Sequence, residues 1–380
     1  MKVLMIAPRL FPWDRPSVGA YYLEHAIALK SQGIDVKVIN VDLQPFAIAK
    51  QNIAKFFFRT ERYRLSDVDV VRINGINFPK AGYFIWVILA FLLVLNECIF
   101  NGRPTVILAQ RALLAGSAAK MASKLLRLPY VLIEHSSAFM NGNMSKRDIK
   151  RSLSAFKCAS SIATVSGPLR DAILSSYPID IQVVIPNVVR PNLFFESSNK
   201  SGFDFITVSN LDDNKRTQDI IRSFHLVNKS MPYTRLNIVG DGPKRESLEK
   251  LAQDLEISSS IKFHGALPKT EVANILSHCH CFILASEVET FGVVIIEALC
   301  AGLPVVCSDS LGAKSIMKEK FLGEIVSIGD LVGYQDAMLR MINDYDYWSS
   351  CSGERRLFVE RAFSPEFVGE KMKIWIARSI

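Results

Sequence analysis

Glu289 and Glu297 lie eight residues apart in the stretch ASEVETFGVVIIEALCAGLPVVCSD, residues 285–309. Glu297 interrupts an otherwise apolar run from Val293 to Leu299, where an unpaired carboxylate is costly to bury. CFILA, just before, reads as a strand and SEVET as the loop at its carboxyl end. A helix is expected from Phe291 or Gly292 to Ala301, with Gly302 as its stop and Pro304 just beyond. The N–H groups of Thr290, Phe291, Gly292, Val293 and Val294 then form an anion site at the positive end of the helix dipole. Gly292 admits a ligand close to that backbone. A diphosphate suits such a site. A vicinal diol, such as a ribose 2′,3′ pair, would satisfy Glu297, and Glu289 is placed to accept from hydroxyls of a second sugar. The plain alternative has Glu297 paired with a backbone group or an Arg, and Glu289 solvated.

Other groups with metal-binding residue types do not form a site on paper. HCHC, His278 to Cys281, alternates at single-residue spacing into the apolar FILA. Alternate strand residues point to opposite faces, so one ion cannot collect all four. DVD (67–69) sits at the start of an expected strand and DYD (344–346) in a late aromatic segment. Both read as chance, and no metal is expected.

These residues need a frame, and the chain supplies a regular one. Short apolar strands alternate with helical stretches: strand 2–7, helix 18–33, strands 35–40 and 68–73, a long apolar helix, and strand 105–109. A small-residue helix at 112–126, strand 130–134, a charged helix near 146–157, strand 161–165, a helix from Pro168 and strand 182–186 follow. The pattern restarts at FDFITVS (203–209). Strands apolar on both faces, separated by helices, predict parallel sheets covered on both sides. Two doubly wound α/β domains are therefore expected: residues 1–195 and 203–365, joined by a polar linker at 196–202. In such sheets ligands bind beyond the carboxyl ends of the strands, so two facing sheets would make one cleft. The length of 380 residues agrees with two domains at roughly 100–200 residues each.

Charge is divided unevenly. Residues 1–195 carry 24 Lys+Arg against 12 Asp+Glu, and residues 196–380 carry 21 against 25. A basic first half suits an anionic partner, such as a membrane surface, nucleic acid or a phosphorylated substrate, or serves solubility alone. Seven cysteines in no regular framework point to a reducing compartment. MKVLMIAPRL is too short for a signal-peptide core. YFIWVILAFLLVL, Tyr83 to Leu95, is too short to span a bilayer and reads first as a helix buried between two layers. An interfacial helix is the second reading. Nearby, KFFFRTERYR, Lys55 to Arg64, mixes aromatic and basic residues in a way that suits a phosphate-rich surface or a loop packed on its own domain.

The E-x7-E spacing followed by ALCAGLPVV resembles the hallmark of the retaining glycosyltransferase family 4, enzymes of the GT-B fold that use nucleotide-sugars. The resemblance runs through nearly the whole chain. SVGAYYLEHAIALKSQGIDVKVINV is similar to the family's glycine loop and first helix, placing Gly19 at the donor. YVLIEHSS is similar to its Glu-His-Ser strand end and places His135 at the ligand. ATVSGPLRDAI, VVIPNVVRPNLF, VGDGPKRESLEKLA and IKFHGALPKTEV are similar to further family segments. Departures occur at SNLDDNKRTQD, where Asn210 stands in place of a frequent phosphate-binding Arg while Lys215 is kept. Lys215, with Arg216, is left to carry the diphosphate charge. SLGAKS, around Gly312, replaces a frequent Gly-Gly, and Gly19 stands alone where some members have two glycines.

The resemblance implies catalytic roles for Glu289, His135 and Lys215, and donor contacts from Gly19, Asn210, Lys215, Arg216, Thr290, Phe291, Gly292, Val293, Val294 and Glu297. It implies a metal-independent transfer, with no cofactor beyond the nucleotide-diphosphate sugar, to a saccharide or lipid-linked saccharide. The segment 366–380 is expected to form a helix packing back on the first domain. A cytoplasmic enzyme, docked peripherally at an anionic inner leaflet and not on nucleic acid, is the expectation. A nucleotide-sugar epimerase of the same fold and a catalytically silent subunit binding a partner transferase are the rivals.

Overall fold

The structure is a computed structural model and describes residues 1–8, 10, 19–45, 59–78, 81–195 and 202–380. The chain divides into two compact units. The first comprises Met1–Val188 and Pro365–Ile380, and the second Val189–Ser364. The division falls seven residues before the polar segment expected as a linker, which lies, apart from Gly202, outside the described residues.

In the first unit the strands are β1 (Lys2–Ala7), β2 (Asp35–Pro45), β3 (Arg59–Leu65), β4 (Val68–Asn77), β5 (Val106–Gln110), β6 (Tyr130–Glu134), β7 (Ser161–Thr164) and β8 (Val183–Val184). Their order is β3-β4-β2-β1-β5-β6-β7-β8. All neighbours are parallel except β3, which runs antiparallel to β4. That edge strand corrects the expectation of an all-parallel sheet. RTERYRL alternates polar residues and so lacks the apolar run by which the other strands are read. Ser66 and Asp67 have φ of 45° and 65°, the left-handed pair of a two-residue hairpin turn, so Asp67 closes a turn. Asp69 pairs with Arg64 at 3.2 Å.

The central strands are buried on both faces because helices cover both sides. The helix Pro365–Arg378 packs on the first helix, Ala20–Ser31. Gly369 makes the close approach, since a Cβ there would lie 2.0 Å from the Ala28 carbonyl oxygen. Trp375 Nε1 donates to Ser161 Oγ at 2.8 Å and fixes the other end. The small-residue helix expected at 112–126 begins as a π-turn, Ala112–Gly116, before the α-helix Ser117–Leu126.

The apolar run forms the helix Gly82–Phe100. Trp86, Ala90, Phe91 and Val94 are buried against the unit, but Phe84, Ile88, Leu92, Ile99 and Phe100 are exposed. The first reading, a helix buried on all sides, is therefore corrected. Every residue of the run is apolar, so no periodicity could say which face is covered. Among the described residues it is the one helix long and apolar enough to cross a membrane, with a third of its length buried in the protein.

The second unit holds β9 (Phe203–Val208), β10 (Thr234–Val239), β11 (Ile261–Gly265), β12 (Cys281–Leu284), β13 (Val305–Ser308) and β14 (Gly323–Val326). They form a fully parallel sheet in the order β11-β10-β9-β12-β13-β14. This is a doubly wound order, whose reversal between β9 and β12 opens a crevice at their carboxyl ends. Phe205, Phe224, Ile238, Ile283, Tyr334 and Met338 lie in its core. His280 stacks on Phe203 and accepts from the Asp204 N–H at 3.0 Å, while Cys281 faces the core. Those two residues of HCHC thus serve the sheet.

Candidate active site

The loops after β9 and β12 flank the reversal of the second sheet. Lys215 lies on the first and Glu289 on the second, and their side chains form an ion pair. Glu289 Oε1 also accepts from Ser286 Oγ at 3.1 Å. Asn214 locks the two loops together. Its amide donates to Val288 O and accepts from Val288 N, both at 3.0 Å, and its carbonyl accepts from Glu287 N at 2.8 Å. Asp212 Oδ1 accepts from the Lys215 N–H at 3.2 Å and holds the short turn that carries the lysine. Gly312 closes the third side. Its N–H donates to Glu289 O at 3.1 Å, and a Cβ there would meet that oxygen at 2.3 Å, so no larger residue fits without movement.

Gly292 has φ 91° and caps the helix Val293–Cys300, so the first-turn N–H groups from Gly292 to Val294 lie at its start, with Thr290 just before them. Phe291 is buried edge-on against Phe363 at 5.7 Å, which leaves its backbone, not its ring, for a ligand. Val293 and Val294 are half-buried and Asn210 is exposed after β9. Arg216 is turned to Asp219 at 2.7 Å. Glu297 pairs with Lys269 at 3.0 Å, so its partner in the chain alone is a lysine, where a backbone group or an Arg was the plain expectation. The helix ends on Gly302, whose carbonyl accepts from Arg355 at 2.9 Å. That fully buried guanidinium also binds the carbonyls of Phe321 and Trp348, which satisfies its charge with backbone dipoles.

In the first unit, His135 follows β6 and is 9% exposed. Gly19, with φ 82°, begins the first helix, whose Tyr21 and Tyr22 rings lie 5.1 Å from the His135 ring. His135 Nε2 bonds Gln110 Oε1 at 2.6 Å, Gln110 Nε2 bonds His25 Nδ1 at 3.3 Å, and His25 Nε2 bonds Pro186 O at 3.0 Å. Burial lowers the pKa of both histidines, and for His135 the nearby His25 and Arg111 add to it. The Glu134 carboxylate accepts from the N–H groups of Ala112, His135 and Ser136 at 2.8–2.9 Å. Arg111, with φ 81°, donates to Ser136 Oγ at 2.9 Å. Burial works against its charge, but Tyr22 and Glu134 hold its pKa raised.

Residues 18–193 match the model of Glycosyltransferase Family 4, and residues 189–357 match that of Glycosyl transferases group 1. The chain belongs to the family 4, group 1 glycosyltransferases. Among the relatives of this glycosyltransferase is N-acetyl-alpha-D-glucosaminyl L-malate synthase of Bacillus anthracis, 27% identical over 42% of each chain. Another is the alpha-monoglucosyldiacylglycerol synthase of Streptococcus pneumoniae, 30% identical over 32% of this chain and 27% of its own. The matches thus span less than half the length of these two relatives. Among solved structures, the sucrose-phosphate synthase of Thermosynechococcus elongatus superposes with a TM-score of 0.82 over 100% of this chain and 98% of its own, at 17% identity. HepE of Anabaena, solved with UDP and glucose, gives 0.77 over 100% of both chains at 18% identity. These likenesses show the GT-B fold.

Asn214, Lys269, Gln110 and His25 were not singled out from the sequence, whereas Gly312 was noted only as a departure from a Gly-Gly pair. Only the flanking Lys215 and His135 gave a signal, because these four act through three-dimensional packing that spacing does not encode. Among the described residues no group of three or more His, Cys, Asp or Glu side chains is arranged to hold a metal ion. Burial pushes the Cys300 and Cys307 thiols up to about 12, which keeps them neutral and unreactive.

Proposed function

We propose that this glycosyltransferase moves a sugar from a nucleotide-diphosphate donor to an acceptor hydroxyl with retention at the anomeric carbon. The observation that supports this most is the Lys215–Glu289 pair at the β9/β12 reversal, beside the N-terminus of the helix Val293–Cys300. The diphosphate takes the helix N–H groups and the Lys215 ammonium, which frees Glu289 for sugar hydroxyls. Glu297, shared with Lys269, takes the ribose. The bond from the anomeric carbon to the phosphate oxygen breaks. The acceptor oxygen bonds to the same face, and its proton passes to the leaving phosphate. Lys215 and the helix dipole stabilise that phosphate as its charge grows. HepE was solved with UDP, so uridine diphosphate sugars are the first donors to test. Mass spectrometry of products from a panel of donors, with and without acceptor, checks the reading. Donor consumed equally without acceptor would point to an epimerase or hydrolase, and no turnover with any pair to a silent subunit.

A second observation bears on the acceptor. On the helix Gly82–Phe100, Phe84, Ile88 and Leu92 recur every fourth residue on one exposed face. Arg151 lies 3.6 Å over the Tyr83 ring, and the helix carrying Lys120 and Lys124 packs alongside. Arg59, Arg62 and Arg64 of β3 are exposed, whereas Lys55 lies outside the described residues. An apolar stripe edged by cations suits an anionic lipid surface, whereas a second copy would bring like charge against like. This supports a lipid-linked acceptor at the cytoplasmic leaflet. The protein should cosediment with anionic vesicles, not neutral ones, and release in high salt. Ile88→Asp with Leu92→Asp should abolish binding. Equal binding to neutral vesicles, or a stripe lost only to self-association in light scattering, would refute it.

A further inference from the structure

The hydrogen bonds around His135 have a direction that can be read from one fixed end. Pro186 O is a carbonyl and only accepts, so His25 must donate to it through Nε2. His25 is fully buried, and among the described residues its partners are Gln110, His135 and the Pro186 carbonyl, with no carboxylate acting on it. A second proton there would also face His135, whose ring centroid is 5.6 Å away. His25 therefore carries one proton, and its Nδ1 accepts. The Gln110 atom facing Nδ1 must then be the amide nitrogen, which points Oε1 at His135. His135 must donate to that oxygen through Nε2. Its Nδ1 is left with a lone pair that no hydrogen bond satisfies among the described residues, and the Oδ1 of Asn187, whose side chain faces it, is likewise unsatisfied. The other polar groups packed on the ring or its neighbours, Tyr21, Tyr22, Arg111 and Glu134, are engaged elsewhere or present ring faces and edges.

We infer that Pro186, His25 and Gln110 form a one-way hydrogen-bond chain that holds the His135 proton on Nε2 and keeps Nδ1 as an acceptor for a sugar hydroxyl. His25 and Gln110 are positioning residues. The chain fixes which atom of His135 a ligand meets, and it makes His135 a hydrogen-bond acceptor at neutral pH, not an acid. The Asn187 amide, turned by half a rotation, would donate to the oxygen of the same hydroxyl. The ligand half of this inference rests on the proposed sugar transfer; the polarity of the chain does not.

The test uses the full chain labelled with 15N-histidine, whose six histidines are few enough to resolve by long-range proton–nitrogen correlation. A His135→Gln variant assigns its signal. At neutral pH both His25 and His135 should be neutral with the proton on Nε2. An Nδ1–H tautomer or an imidazolium at either ring overturns the chain. Gln110→Leu should leave His135 a mixture of tautomers, whereas Gln110→Glu should preserve Nε2–H, since a carboxylate still accepts from it. An unmixed Nε2–H signal in Gln110→Leu removes Gln110 from its positioning role. Should that variant not fold, the wild-type and Gln110→Glu spectra decide. A nucleotide-sugar should shift the His135 Nδ1 resonance and UDP alone should not. An Nδ1 that answers to no donor or acceptor sugar, or is already bonded to Asn187 as judged by Asn187→Ala, overturns the ligand half. A chain confirmed alongside sugar turnover but no Nδ1 response would leave the proposed transfer standing.

Discussion

The two units build their ligand corners from opposite materials. Beside the β9/β12 reversal stand ion pairs, Lys215–Glu289 and Lys269–Glu297, with side chains 12–23% exposed. At the β5 and β6 ends of the first sheet stand neutral, buried imidazoles joined through an amide. The difference matches two tasks. A diphosphate brings charge that must be met by charge and oriented dipoles. Sugar hydroxyls bring none, and recognition depends on which atom donates and which accepts. On the proposed transfer, ion-paired lysines would serve the first task and a fixed tautomer the second.

The comparison breaks most visibly at Lys215. Lys215→Ala should reduce turnover by about 10²-fold or more, the range for removing a group that meets developing charge. The variant should still fold, since Asn214 and Gly312 hold the loops independently. Steady-state kinetics with circular dichroism check this, and near-normal turnover would place the phosphate charge elsewhere.

Glu297→Ala should weaken nucleotide binding by about 1–3 kcal/mol, as expected for a lost charged hydrogen bond. Lys269→Met tests whether the pair acts as a unit. If Lys269 only holds the carboxylate for ribose, calorimetry on the double variant should show less than the sum of the single losses. Unchanged affinity in a folded Glu297→Ala protein would remove the ribose role.

The buried histidines predict a smaller effect, on stability. Both have pKa values lowered in the folded state. The unfolded chain therefore binds more protons once the pH drops below the ordinary histidine value of about 6.5. Their contribution is complete above that pH and is lost as pH falls toward the folded values. The urea midpoint should be flat from pH 7 to 8 and drop below about 6.5, at a slope of up to ~1.4 kcal/mol per pH unit for each proton. A midpoint insensitive to pH between 7 and 5 would contradict the neutral, buried pair. The smallest expected effect is none: chelation by EDTA should leave transfer unchanged if Lys215 and the helix N-terminus meet the phosphate charge. Reversible loss of activity would contradict this.

Much of the frame was legible because apolar strands alternate with helices, and β1, β6 and β9 fall where the pattern puts them. β3 was hidden because an edge strand of alternating polar residues has no apolar run. The exposed face of Gly82–Phe100 was hidden because uniform hydrophobicity carries no phase. At the site, Glu289 and Glu297 stood out as carboxylates in an apolar setting. Lys269, 28 positions before its partner, and His25, 110 before His135, did not, because such pairings arise only when the folded sheet brings distant helices and loops together.

The helix Pro365–Arg378 completes the first unit although the whole second unit precedes it in the chain. During synthesis the second unit has every residue it needs first. The earlier-made half must wait, with the surface around Ala28 and Ser161 uncovered, until residue 378 has left the ribosome. Order of manufacture and order of completion are thus reversed. Truncation within Pro365–Arg378 would damage the part of the molecule that was translated first.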